Sequence, residues 1–151
     1  MKIRLIVAMI VLCTNAVAQK TEVLSDSSKT KTAIFNRTLF WIEKIWGTNA
    51  DKVIESRDEV AGTILVRGGL KAAPKSDEGF AVKGQSITEL TIQVENGRAK
   101  LNFQATTFKW DAGTVWNFGD DNGGTQKAKW KAEVAIEIDE LIENYKVDFN
   151  K

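Results

Sequence analysis

The chain reads as a two-layer α+β protein, an antiparallel β-sheet with two helices packed on one of its faces. Three observations predict this. The stretch from Leu90 to Ala105 alternates apolar and polar residues about a central Asn96-Gly97 pair, the pattern of a β-hairpin. Two further stretches, Ala33–Trp46 and the segment following Thr125, carry apolar residues at helical spacing. The segments between them are joined by short connections, which favour sequential antiparallel pairing.

The hairpin specifies its own register. Asn96-Gly97 suits a two-residue type I′ turn, which needs positive φ at both central positions. Folding back from that turn sets Glu95 opposite Arg98, Val94 opposite Ala99, Ile92 opposite Leu101 and Leu90 opposite Phe103. The apolar pairs then share one face, while Glu95/Arg98 and Gln93/Lys100 share the other. A slip of one residue would bury the charges, so turn and alternation agree. The apolar face needs a cover, and the two amphipathic helices supply it.

Thr21–Ser25 reads as a short edge strand leading into the domain, and Ser27–Thr30 offers several helix N-caps. From Ala33 to Trp46, Ile34, Phe35, Leu39, Trp41, Ile42, Ile45 and Trp46 form one broad apolar face, and Gly47 suits the end of the helix. Lys52–Ser56 reads as a strand, Arg57–Glu59 as a turn, and Val60–Arg67 as a second strand with Val60, Ile64 and Val66 on one face. Gly62 marks a bulge or a close approach, and Gly68-Gly69 ends that strand. Ala72–Gly79 is a charged loop holding the sole proline, Pro74, and Phe80–Val82 starts the next strand before Gly84. Beyond Ala105 the alternation changes parity, which places a bulge or a strand end near Thr106. Asp111–Gly124 is a long connection pinned by Trp116 and Phe118. Thr125 caps the last helix, whose buried face is Trp130, Val134, Ile138, Leu141, Ile142 and Tyr145; Asn144 ends it and Val147–Phe149 trails as a tail.

The first residues look like a leader. Lys2 and Arg4 precede an apolar run, Leu5–Leu12, and Ala16-Val17-Ala18 has the small-x-small pattern before a signal-peptidase cut. The run is too short to span a bilayer as a mature helix, so no transmembrane span is expected after cleavage. Cleavage after Ala18 leaves a single α+β domain, 19–151, long enough for a proper core. It takes two of the 21 basic residues, against 20 acidic ones, and the mature chain is close to neutral. A near-neutral domain has no electrostatic case for nucleic acid. Cleavage also removes Cys13, the sole cysteine, so the five tryptophans and seven phenylalanines must hold the fold by packing. A lipoprotein signal ending at Cys13 is the alternative, disfavoured by the large Leu12 before the cysteine.

A family resemblance rests on three runs: Ile34-Phe-Asn-Arg-Thr-Leu-Phe-Trp41, Val53-Ile-Glu-Ser-Arg-Asp-Glu-Val-Ala-Gly-Thr-Ile64, and the Leu90–Phe103 hairpin. Together they resemble the DUF4468 domain over roughly residues 28–144. The resemblance implies a TBP-like fold, export and an origin in Bacteroidota. That family has no assigned function, so no activity is implied.

Composition narrows the chemistry. The chain has no histidine, which excludes a Ser-His-Asp triad, a histidine base and histidine-containing zinc sites. Without Cys13, thiol chemistry goes as well. Asp120-Asp121-Asn122-Gly123-Gly124 is rich in oxygen donors but lacks a calcium loop's third ligand and distal glutamate, and reads as a turn before a helix. Glu133, Glu137 and Glu140 read as a solvated helix face rather than an acid–base pair. Trp41, Trp46 and Trp130 fall on buried faces, whereas no period places Trp110 or Trp116. Phe40 stands on the polar face of its helix. Phe40, Trp110 and Trp116 are therefore the candidate surface contacts, and no catalytic, cofactor-binding or metal residue is assigned. The reading is an exported, non-catalytic binding or structural module with a protein or small-molecule partner at the envelope. The alternatives are a small carboxylate-dependent hydrolase and a lipid-anchored envelope component.

Overall fold

The structure is a computed structural model that describes residues 19–74, 83–111, 113–120 and 124–151. The expected leader, the strand start at Phe80–Val82 and the Asp121–Gly123 part of the oxygen-rich cluster lie outside the described residues. The elements in chain order are β1 (Gln19–Ser25), α1 (Lys31–Trp46), a 3-10 turn (Gly47–Asn49), α2 (Ala50–Val53), β2 (Ile54–Asp58), β3 (Thr63–Leu70), β4 (Gly84–Glu95), β5 (Arg98–Trp110), β6 (Val115–Asn117) and α3 (Gly124–Phe149). The sheet is antiparallel in the order β1-β5-β4-β3-β2, and β6 pairs with β5 beyond the end of β1. Both long helices cover the same face, giving the two-layer α+β arrangement read from the sequence.

The β4–β5 hairpin has the register its turn and alternation require, with Leu90 opposite Phe103, Ile92 opposite Leu101 and Glu95 opposite Arg98. Leu90, Ile92, Val94, Ala99, Leu101 and Phe103 are all buried. The hairpin turn also organises the helix. Asn96 accepts the Lys31 N–H at 2.9 Å, and Gly97 donates to the Lys29 carbonyl at 2.8 Å. Thr30 caps α1 by accepting from Ala33 N–H at 3.3 Å. The turn thus fixes the start of the helix that covers its own sheet. The register shifts at the expected place: Ala105 pairs with Thr88 and Thr107 with Ile87, which leaves Thr106 as the extra residue. The Thr106 carbonyl accepts the Phe118 N–H at 2.9 Å and helps to anchor the returning chain.

Several boundaries differ from the sequence reading; within the expected Asp111–Gly124 connection, Val115–Asn117 forms strand β6 against β5. Lys52 and Val53 belong to a helical turn, not to a strand. Glu59–Gly62 is the turn, and Val60 lies within it, 91% exposed, rather than on the face of Ile64 and Val66. Asp58 closes this turn by accepting from Ala61 N–H through its side chain (2.8 Å) and from Gly62 N–H through its carbonyl (2.7 Å). Gly62 has φ +75°, and a Cβ there would strike the Val94 carbonyl oxygen, so the glycine is a close-approach position. Strand β3 continues through Gly68-Gly69 instead of stopping there, because the Trp46 indole lies over Gly68 and donates to the Gly69 carbonyl at 3.3 Å. A Cβ on Gly68 would lie 2.6 Å from that ring.

The last helix differs as well. Thr125 is already inside it, and it runs past Asn144 to Phe149. Groups from elsewhere stabilise its end. The Lys29 ammonium donates to the Phe149 carbonyl at 2.5 Å and lies 5.5 Å from the centroid of the Phe149 ring. Arg37 donates to the Asp148 carbonyl at 3.3 Å. Positive groups at a helix C-terminus satisfy its open carbonyls and complement its dipole. No helix among the described residues is long and apolar enough to cross a membrane.

Candidate functional site

A concavity lies where the C-terminal end of α1, the end of β3 and the middle of α3 meet. It holds about 560 Å³, within the usual range of ligand pockets. Its apolar lining residues, Ile45, Trp46, Leu70, Ala72 and Leu141, are buried or half-buried. Its exposed edge carries Lys44, Lys71, Ile136, Glu140 and Asn144, with Glu133 and Glu137 half-buried. Ile136 is 59% exposed, an apolar residue that the fold leaves at the edge of the groove.

The groove's central carboxylate already has partners. Glu137 accepts the N–H of Lys71 at 2.8 Å and of Ala72 at 2.6 Å, one on each oxygen. It closes the end of β3 and is not the solvated group its helical spacing suggested. Below it, Trp130 donates to Ser86 Oγ at 2.8 Å, and the Ser86 hydroxyl donates to the Ala72 carbonyl. Lys44 at the groove edge bonds Asp148 at 3.0 Å, and Lys151 bonds the same carboxylate at 2.6 Å. The Lys151 and Lys44 hydrogen bonds hold Asp148 below the usual carboxylate range, against the opposing effect of burial. A general acid at neutral pH needs the reverse shift.

Of the three sequence-derived contacts, Trp110 and Trp116 come together and Phe40 stands apart from them. Phe40 is 62% exposed on α1. Trp110 and Trp116 are half-buried and meet edge-to-face at 5.2 Å. They extend an aromatic cluster in which Phe108, Trp116 and Phe118 surround Trp130 at 5.8, 6.3 and 5.4 Å. Their rings therefore pack within the fold. Aromatic residues recurring at alternate positions, Phe108/Trp110 and Trp116/Phe118, were the available sequence signal for this cluster. Neither Glu137's role nor the groove itself had a local signal.

The face of the sheet opposite the helices is a second candidate surface. Arg67 there bonds Glu89 at 2.8 Å and lies 3.6 Å from Glu55. Gln93, Glu95, Arg98 and Lys100 line a small hollow of about 160 Å³. Of the oxygen-rich cluster, the described Asp120 accepts from Asn117 Nδ2 at 3.2 Å. Among the described residues, no group of three or more His, Cys, Asp or Glu side chains is placed to hold a metal ion.

No family model matches the chain, and no curated protein matches it in sequence. Two solved structures share its fold. A DUF4468 family protein from Bacteroides ovatus superposes with a TM-score of 0.73 at 14% identity, covering 93% of this chain and 91% of that one. A TBP-like protein from Parabacteroides distasonis superposes with a TM-score of 0.68 at 13% identity, covering 93% of this chain and 97% of that one. At such identities the likeness establishes the fold. It is the fold of a protein from the family that the α1, β2–β3 and β4–β5 runs resemble.

Proposed function

We propose that this chain is an exported, non-catalytic module of the DUF4468 kind that binds a partner in the periplasm or at the cell envelope. The groove between α1, β3 and α3 is its contact surface. The observation that carries this reading is the groove's makeup: an apolar floor, an exposed Ile136, and a central carboxylate whose two oxygens are already taken by backbone N–H groups. Such a surface can hold an apolar anchor within a ring of both charges, but it offers no poised acid–base pair. The partner suited to it is a protein segment or small amphiphile with an apolar core and polar ends. Export rests on the leader pattern ending at Ala18.

The compartment is tested by expressing the chain with its own first 18 residues in a Gram-negative host and fractionating the cells. Release of the processed chain by osmotic shock is the expected result. An unprocessed chain in the cytoplasm contradicts export. A processed chain carrying acyl groups on Cys13 replaces the soluble reading with the lipid-anchored one.

A further inference from the structure

We infer that the outer face of α3 is an interface between two copies of this chain, laid antiparallel about Ile136. This rests on the reading of the groove edge around Ile136 as a contact surface, and it names a second copy as the partner.

Helical spacing lays out the face. Trp130, Val134, Ile138, Leu141 and Tyr145 of α3 are buried in the core. On the opposite side of the helix Lys129, Ala132, Ile136, Glu140, Glu143 and Val147 are all exposed. They recur at steps of three and four residues, so they form one stripe along the helix, the spacing at which one helix packs against another. The two large apolar members are wide open: Ile136 is 59% exposed and Val147 58%. Ile136 and Glu140 also stand at the edge of the groove, which makes stripe and groove one continuous surface.

Charge decides what fits the stripe. Its first half carries Lys129 and its second half Glu140 and Glu143. Ile136 lies midway between Lys129 and Glu143. A second α3 running the opposite way, related by a two-fold axis at Ile136, sets Lys129 of each copy against Glu143 of the other and brings the two Ile136 side chains together. The same contact is made twice, as a two-fold interface requires. Ala132 then faces Glu140 of the second copy, and its small side chain lets the helices approach. A parallel arrangement would set lysine against lysine and glutamate against glutamate, which is repulsive. Glu143 bonds Lys146 at 2.8 Å, and Lys146 also bonds Glu22 at 3.0 Å. Lys146 therefore keeps a partner when Glu143 turns to the second copy. The chain's formal net charge is +1, so two copies meet with little overall repulsion.

The test uses the full chain, expressed with its own leader and purified, in sedimentation over a wide concentration range. The expected wild type is a monomer–dimer equilibrium. Lys129→Glu and Glu143→Lys are each expected to weaken self-association at least about tenfold, because either one sets like charges together twice. Both positions are exposed, and unchanged urea midpoints would confirm that the fold is kept. The double variant Lys129→Glu/Glu143→Lys swaps the charges without changing their total, and it is expected to dimerise like the wild type. That restoration belongs to the antiparallel order, since swapped charges in a parallel pair repel as before. A double variant as weak as the single ones, or a dimer that neither single variant weakens, overturns the proposal. A chain that stays monomeric while a photo-crosslinking amino acid at Ile136 captures a different protein in cells overturns the self-pairing and leaves the groove as a contact surface. A monomer with no adduct from Ile136 overturns both.

Discussion

The Thr38 and Tyr145 hydroxyls meet at 2.8 Å in the buried seam between α1 and α3. Thr38 also donates to the Ile34 carbonyl at 2.8 Å, so the hydroxyl pair is anchored to α1. Trp41 packs edge-to-face on the Tyr145 ring at 5.1 Å. Burial pushes the Tyr145 phenol from 10.0 up to about 12.

The raised value means that the fold keeps the phenol neutral. The associated stability is fully present below about pH 10 and is lost as pH rises through about 12, a loss of about 2–3 kcal/mol. Tyr145 is the sole tyrosine, so phenolate absorbance during alkaline titration reports on it alone. The expected transition lies near pH 12 or coincides with alkaline unfolding. A transition near pH 10 with the fold intact would show that the phenol is not enclosed.

The Glu137 contact with the end of β3 makes a second expectation. Glu137→Ala should cost about 1–2 kcal/mol, because the Ala72 N–H belongs to a buried residue while the exposed Lys71 can turn to water. Glu140→Ala, on the exposed side of the same helix, should stay within about 0.5 kcal/mol. Urea midpoints decide between them. Equal shifts would mean that the carboxylate does not hold the strand end.

Phe103 is fully buried beneath the helices, and Lys100 lies on the opposite face of the same strand. Phe103→Ala should cost about 3–5 kcal/mol, since it opens a large cavity. Lys100→Ala should change stability by less than about 0.5 kcal/mol. Comparable losses for the two variants would place the hairpin in another register.

Local signals made the hairpin and both helical faces legible, because turn chemistry and periodicity agreed over many residues. The bulge at Thr106 was legible from a parity change for the same reason. What escaped depended on groups far away in the chain. Gly68-Gly69 looked like a strand end, but Trp46 covers it, and that cover is visible only after α1 and β3 come together. Val147–Phe149 looked like a tail, but Lys29, Arg37 and Lys44 hold the end of α3 there. Glu137 looked solvated because its position on the helix says nothing about the β3 end, about 65 residues earlier. The groove has the same origin: its walls come from three separated parts of the chain.

The TBP-like fold does not by itself imply DNA binding. On the helix-free face Arg67 is paired with Glu89, and Glu95 stands among Arg98 and Lys100. Carboxylates there would lie against phosphate, and duplex affinity depends on Lys and Arg that neutralise phosphate. Fluorescence anisotropy with labelled duplex at physiological salt should show no specific binding. Sub-micromolar, sequence-dependent binding would overturn both this expectation and the proposed compartment.

The contact surface itself is tested most directly by a photo-crosslinking amino acid placed at Ile136 in the groove or at Thr91 on the helix-free sheet face. Both variants are exported in cells that natively make the protein and are then illuminated. The expected result is a discrete crosslinked species from Ile136, with Thr91 giving none. Adducts from Thr91 alone would move the site to the sheet, and no adduct from either position would contradict a binding role at these surfaces.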